Sequence, residues 1–128
     1  MSLSYAAVTT CAMLVLYLAL TLNVGRMRGK TGIKAPAVVG NPDFERAYRV
    51  QMNTLEWMVM AIPTLWIYAA LGSPIWASVS GGLWILGRII YALGYIKDPS
   101  KRRYGMMITM VAQIWLLGGA IWASVVSL

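Results

Sequence analysis

The sequence has no histidine. That removes His-based catalytic triads, HExxH zinc sites and imidazole general bases together. It has one cysteine, so no internal disulfide and no CxxC pair can form. Acidic residues are also scarce: four Asp and Glu stand against eleven Lys and Arg, giving a formal net charge of +7. Only 12% of residues are charged, where a soluble domain carries about 25%. What fills the space is apolar, 59% of the 128 residues. Four membrane spans of about 20 residues need roughly 80 mostly apolar positions, and the composition supplies about that many. A soluble domain could not hide so much apolar surface, and a disordered chain would not carry it.

Charge falls in blocks that divide the chain. Residues 1–25 carry none, then Arg26, Arg28, Lys30 and Lys34 crowd one short segment. Residues 57–87 are again uncharged, and so are residues 104–128. A single helix over residues 57–87 would run about 46 Å, too long for a hydrocarbon core of about 30 Å. Gly72, Ser73 and Pro74 supply the break, because Gly and Pro disfavour helix interiors. The first apolar run lacks a basic n-region and is long enough to cross fully, so it reads as a span and not a signal peptide. Asn41, Pro42 and Asp43 read as a helix start: cap, first position, acid in the first turn. Asp98, Pro99 and Ser100 mark a last turn. The expectation is an all-α integral membrane protein, one domain over residues 1–128. It is an up-down bundle of four transmembrane helices near residues 3–25, 43–71, 75–96 and 103–126.

Four crossings put segments 25–42 and 96–103 on one side, and together they hold eight Lys and Arg. The positive-inside rule places both in the cytoplasm and both termini opposite. Short loops and the absence of a retention signal favour a bacterial inner membrane over the endoplasmic reticulum.

Most basic loop residues serve as anchors near headgroups. Glu56 and Arg88 do not fit that role. Counted from the break at about 1.5 Å per residue, both lie about 20 Å inward, at matching depth on neighbouring helices. An intramembrane charge costs about 2.5–3.5 kcal/mol, so it is seldom idle. The two could form an ion pair locking helices two and three, or they could line a polar pocket. The pair alone leaves both readings open. Arg49, Asn53 and Glu56 share one helical stripe, with Gln51 roughly opposite, so helix two has polar business on two sides. Arg88, Tyr91 and Tyr95 form a second stripe on helix three. With Arg102 these residues make a cation-rich set with one acid. It suits a ligand bearing several carboxylates and one ammonium, and glutathione fits by type. It does not suit a metal or a nucleic acid.

The stretch Glu45-Arg46-Ala47-Tyr48-Arg49-Val50-Gln51-Met52-Asn53-Thr54-Leu55-Glu56 closely resembles the E-R-x-x-R-x-Q-x-N-x-x-E signature of the MAPEG family, the membrane-associated proteins of eicosanoid and glutathione metabolism. Arg88-Ile89-Ile90-Tyr91-Ala92-Leu93-Gly94-Tyr95 resembles that family's R-x-x-Y-x-x-G-Y. Span count and loop placement agree, so the likeness covers essentially the whole chain. It is strongest to the microsomal glutathione S-transferase and leukotriene synthase branch. The resemblance implies a homotrimer with glutathione between adjacent protomers near the cytosolic face. It assigns Arg28, Arg49, Gln51, Asn53, Glu56, Arg88, Tyr91 and Tyr95 to glutathione binding, with Glu56 on the γ-glutamyl ammonium. Arg102, seven residues after Tyr95, matches the arginine that holds the thiolate. Trp57 and Gly29 depart from the leukotriene synthases, where Tyr and a second Arg stand, and speak against a leukotriene substrate.

The activity implied is a membrane glutathione S-transferase, with peroxidase activity within reach of the same chemistry. Its co-substrate is glutathione, its other partner an apolar electrophile or lipid from the bilayer, and it needs no metal. The alternative is a non-catalytic membrane protein of the same fold that binds lipid or glutathione. A transporter fits less well, because beyond Glu56 helix two offers only Thr64 and Tyr68 as polar continuation. A purely structural trimer with ion-paired helices is a further reading. Cys11 in the first span reads as a small packing residue, and Met107 and Met110 as candidates to line a cleft.

Overall fold

The computed structural model describes residues 3–128. Four helices run antiparallel: α1 (Ser4–Thr31), α2 (Pro42–Leu71), α3 (Pro74–Lys97) and α4 (Arg103–Val126), the last preceded by a 3-10 turn at Pro99–Arg102. All are long and apolar enough to cross a membrane, α4 counted together with its turn. The molecule is therefore an all-α, multi-pass membrane bundle.

The ends of the helices follow local chemistry. Asn41 caps α2, its side chain accepting from the backbone N–H groups of Asp43 and Phe44 at 2.9 and 3.1 Å. Pro42 stands at the first position and Asp43 and Glu45 fill the first turn, where acids suit the helix dipole. Ser73 caps α3 through a bond from the Trp76 N–H at 3.2 Å. Helix α1 continues past residue 25, the end read from the charge pattern, to Thr31. Arg and Lys are good helix formers. The helix stops only where Gly32 takes a left-handed conformation, φ 78°, and its N–H reaches Arg28 O.

Small residues set the packing, as is usual between membrane helices. Gly105 of α4 lies against the backbone of Tyr91 on α3, Gly87 lies against Thr109, and Gly94 against Lys101. The α3–α4 seam is the closest in the bundle. At the opposite end of the molecule Gly119 sits beneath the Tyr68 ring. The core between them holds Met13, Leu65, Trp84 and Leu116, all fully buried. The outer faces carry Leu18, Leu22, Val59, Leu86, Ile114 and Trp122 exposed, as a bundle solvated by lipid requires. Cys11 also lies on this outer face, so within the protomer it is not part of the core.

Candidate functional site

The polar residues gather at the end of the bundle that carries the 32–41 and 98–102 connections. Arg88 is wholly buried between α2 and α3. Its Nη2 donates to Asn53 Oδ1 at 2.7 Å and to Thr54 Oγ1 at 3.1 Å. Its guanidinium carbon lies 4.2 Å from the centroid of the Tyr91 ring, close enough for a cation–π attraction. Tyr91 stacks on Tyr95, with ring centroids 5.5 Å apart. Arg49, Arg88 and Arg102 are all within electrostatic reach of Tyr91. The structure thus brings Arg49, Asn53, Arg88, Tyr91, Tyr95 and Arg102 to one neighbourhood.

The ion pair between Glu56 and Arg88 does not form. Arg88 takes Asn53 one turn earlier on α2, while Glu56 lies exposed on the outside of the bundle. Glu56 has no hydrogen bond or ion pair among the described residues, and Arg49, two turns earlier on the same stripe, is exposed as well. These are charged groups without a partner on a membrane-spanning helix.

Gln51 and Arg28 lie elsewhere. Gln51 Nε2 donates to Thr21 Oγ1 on α1 at 3.0 Å, with Tyr17 Oη at 3.5 Å. Arg28 donates to Ala37 O at 2.8 Å and sits over the Phe44 ring at 4.8 Å. Thr21 and Arg28 are seven residues apart, and so are Phe44 and Gln51. Both contacts therefore lie along one α1–α2 seam, two turns apart. One protomer displays two separate groups of candidate residues.

Arg102 ends the 3-10 turn and opens α4. Its Nη1 donates to Pro99 O at 2.9 Å, which holds the side chain against its own turn. The turn is fixed by Asp98, whose Oδ1 accepts from the Ser100 N–H at 3.0 Å. That bond holds the Asp98 carboxyl below its usual value of 3.8. Arg102 lines an open groove of about 460 Å³ with Ser100, Arg103, Met106 and Met107. Met110 lines a different groove, with Trp57, Met60 and Gln113. No acid stands in the first turn of α4 itself; the acid nearest its start is Asp98, which caps the preceding turn.

Thr54, Thr21 and Asp98 support the site and were not singled out as site residues in the sequence. A hydroxyl beside Asn53 on a buried face, and a threonine inside the otherwise apolar first span, were the available signals.

The fold and the site define a multi-pass membrane protein with a cation-rich polar site at one end of its bundle. The chain belongs to the MAPEG family, whose model matches residues 6–122. It is 36% identical over 99 residues to human microsomal glutathione S-transferase 2, covering 76% of this chain and 67% of that one. It is 29% identical over 97 residues to guinea pig (Cavia porcellus) leukotriene C4 synthase, covering 76% and 64%. An uncharacterised protein of Synechocystis is 43% identical over 119 residues, covering 93% and 87%. Membership carries a general role in glutathione conjugation or lipid metabolism.

Proposed function

We propose that the chain is a membrane glutathione S-transferase that activates the glutathione thiol and joins it to apolar electrophiles arriving through the bilayer. The observation that carries the reading is two exposed, unpartnered charges on one stripe of α2, Arg49 and Glu56, with Arg49 and Arg102 both in electrostatic reach of Tyr91. An idle charge at the depth of Glu56 costs about 2.5–3.5 kcal/mol. A zwitterionic peptide with two carboxylates and one ammonium satisfies all of them. Glu56 takes the ammonium, Arg49 and its neighbours take the carboxylates, and Arg102 faces the sulfur. Arg28 and Gln51, on the separate α1–α2 seam, complete the pocket from an adjacent protomer. The assembly is then a homotrimer with the site at each interface. The basic end of the bundle, with the 32–41 and 98–102 connections, faces the cytoplasm of a bacterial cell, and both termini face the opposite side.

The chemistry requires a thiolate. A free thiol has a pKa of about 8.5, and lowering it by two units takes about 2.7 kcal/mol. A guanidinium beside the sulfur at a helix start supplies a stabilisation of that kind. The thiolate sulfur then attacks the electrophilic carbon. A halide leaves with the bonding pair, or an activated alkene takes the pair and is protonated. Reduction of a lipid peroxide begins from the same thiolate.

The decisive experiment is the ultraviolet absorbance of glutathione thiolate on the detergent-purified protein, for wild type and Arg102→Ala. The expected result is a stoichiometric signal that the substitution abolishes. Tight binding with no thiolate would instead assign a protein that binds glutathione without chemistry. No binding at all would end the proposal.

A further inference from the structure

Among the described residues Arg88 is the only charged side chain that the bundle buries. It shows no surface, and its Nε and Nη1 are buried without a partner. A ligand held at the surface of the bundle would have to part α2 from α3 to touch it. An apolar side chain would lock those helices at less cost, because burying a guanidinium forfeits its hydration. The role of Arg88 therefore lies in what it does to its neighbours.

A guanidinium has five donors and no acceptor. An amide that faces it must present oxygen. The contact between Arg88 Nη2 and Asn53 Oδ1 at 2.7 Å thus fixes which way Asn53 is turned. The carbonyl points inward and the NH₂ group is left for the other side. That nitrogen has no hydrogen bond among the described residues, and Asn53 is only half-buried. Asn53 shares its stripe with Arg49 and Glu56, both exposed. The charge on Arg88 also polarises the amide, which strengthens its N–H groups as donors.

We infer that Arg88 is a positioning residue, which through Asn53 Oδ1 sets the Asn53 amide as a fixed donor to a carbonyl or carboxylate oxygen of glutathione and does not itself touch the peptide. This rests on the glutathione reading above and replaces the direct contact expected for Arg88 from the sequence. Thr54, bonded to the same Nη2 at 3.1 Å, holds the guanidinium in register.

Asn53→Asp tests the inference most directly. The carboxylate keeps an oxygen against Arg88 and keeps the side-chain volume, but it shows the ligand an acceptor where Asn53 shows a donor. The expected result is an unchanged melting temperature in detergent and glutathione binding weakened about ten- to a hundredfold by calorimetry. Binding as tight as wild type would overturn the inference. A double-mutant cycle adds a readout that a merely structural role would not move. Arg88→Met should weaken glutathione binding about tenfold when Asn53 is present and add nothing in an Asn53→Ala background. Arg88→Lys, which keeps a donor, should recover most of the affinity. Equal losses in both backgrounds would overturn the inference. If Arg88→Met fails to assemble, Arg88→Gln takes its place in the cycle. A wild-type protein that binds no glutathione removes the underlying reading and this inference with it. Wild-type binding that is indifferent to Asn53→Asp removes only this inference.

Discussion

At the end of the bundle carrying the α2–α3 turn, polar groups are few and mostly bonded inside the protomer. Trp66 Nε1 donates to Thr10 Oγ1 at 2.9 Å, and Gln113 Nε2 to Thr64 Oγ1 at 3.2 Å. Ser80 returns its hydroxyl to Trp76 O and Ala77 O. Trp84 Nε1, Ser78 Oγ and Gln113 Oε1 are buried exceptions. At the other end, Arg49 and Glu56 are exposed without a hydrogen bond, and the Asn53 amide nitrogen waits beside them. The difference separates two uses of polarity in a membrane helix. A polar group bonded within its own bundle ties helices together. A charged group left unbonded at membrane depth needs something from outside the chain.

The sharpest way to break this comparison is to strain each end in turn. A Cβ at Gly105 would overlap the backbone of Tyr91, which cannot move without α3, whereas one at Gly119 would first meet the Tyr68 ring, a side chain. Gly105→Ala is expected to destabilise the protein by about 3 kcal/mol or more. It should also lose glutathione binding, because Tyr91 and the start of α4 move with it. Gly119→Ala should lower the melting temperature less and spare binding. Thermal unfolding in detergent, paired with calorimetry, reads both. Equal loss of binding from both variants would mean that the two ends are one cooperative unit.

Glu56→Gln separates function from fold. Glu56 is exposed and makes no hydrogen bond or ion pair among the described residues, so the melting temperature of the protomer should not fall. Glutathione affinity should drop about ten- to a hundredfold, the value of one hydrogen bond to a charged group. A melting temperature that falls while binding persists would place Glu56 in an interface and not in the site.

Thr64→Val makes the converse test. It strips Gln113 Nε2 of its acceptor inside the bundle, at a cost of about 1–2 kcal/mol. Thiolate formation should be unaltered. A loss of thiolate would show that the interior of the bundle is coupled to the site.

How much of this was legible in the sequence depends on direction. Level along the bundle was legible, because it follows from run length and rise per residue. That is why Gly72 and Pro74 mark the break and why Arg88 and the Asn53–Glu56 turn meet at one level. Azimuth was not. Asn53 and Glu56 differ by only about 60° on the helical wheel, yet Asn53 turns inward to Arg88 and Glu56 turns out. The side a residue faces depends on how small residues such as Gly105 and Gly87 let the helices settle, and no periodicity states that. The charges after Gly25 misled for a related reason. They mark where the apolar run ends, and α1 runs on beyond it until Gly32.

The mildest of these tests concerns the turn that carries Arg102. Asp98 accepts from the Ser100 N–H, and this bond, more than nearby Lys101 and Arg46, holds its carboxyl below 3.8. A folded-state value below the unfolded one means that the ionised carboxylate stabilises the turn. The contribution is complete above the unfolded value and disappears as pH falls through the folded one. Asp98→Asn keeps the acceptor and removes the charge. The melting temperatures of wild type and Asp98→Asn should therefore differ by a small, constant gap from about pH 5 to about pH 8, and the gap should close below 3.8. Because Asp98 is fully exposed, this shift should be smaller than those of the glycine and Thr64 variants, and smaller still in high salt. A gap that persists in acid would mean that Asn and Asp differ at this cap by geometry and not by charge. The hold on Arg102 would then owe nothing to ionisation.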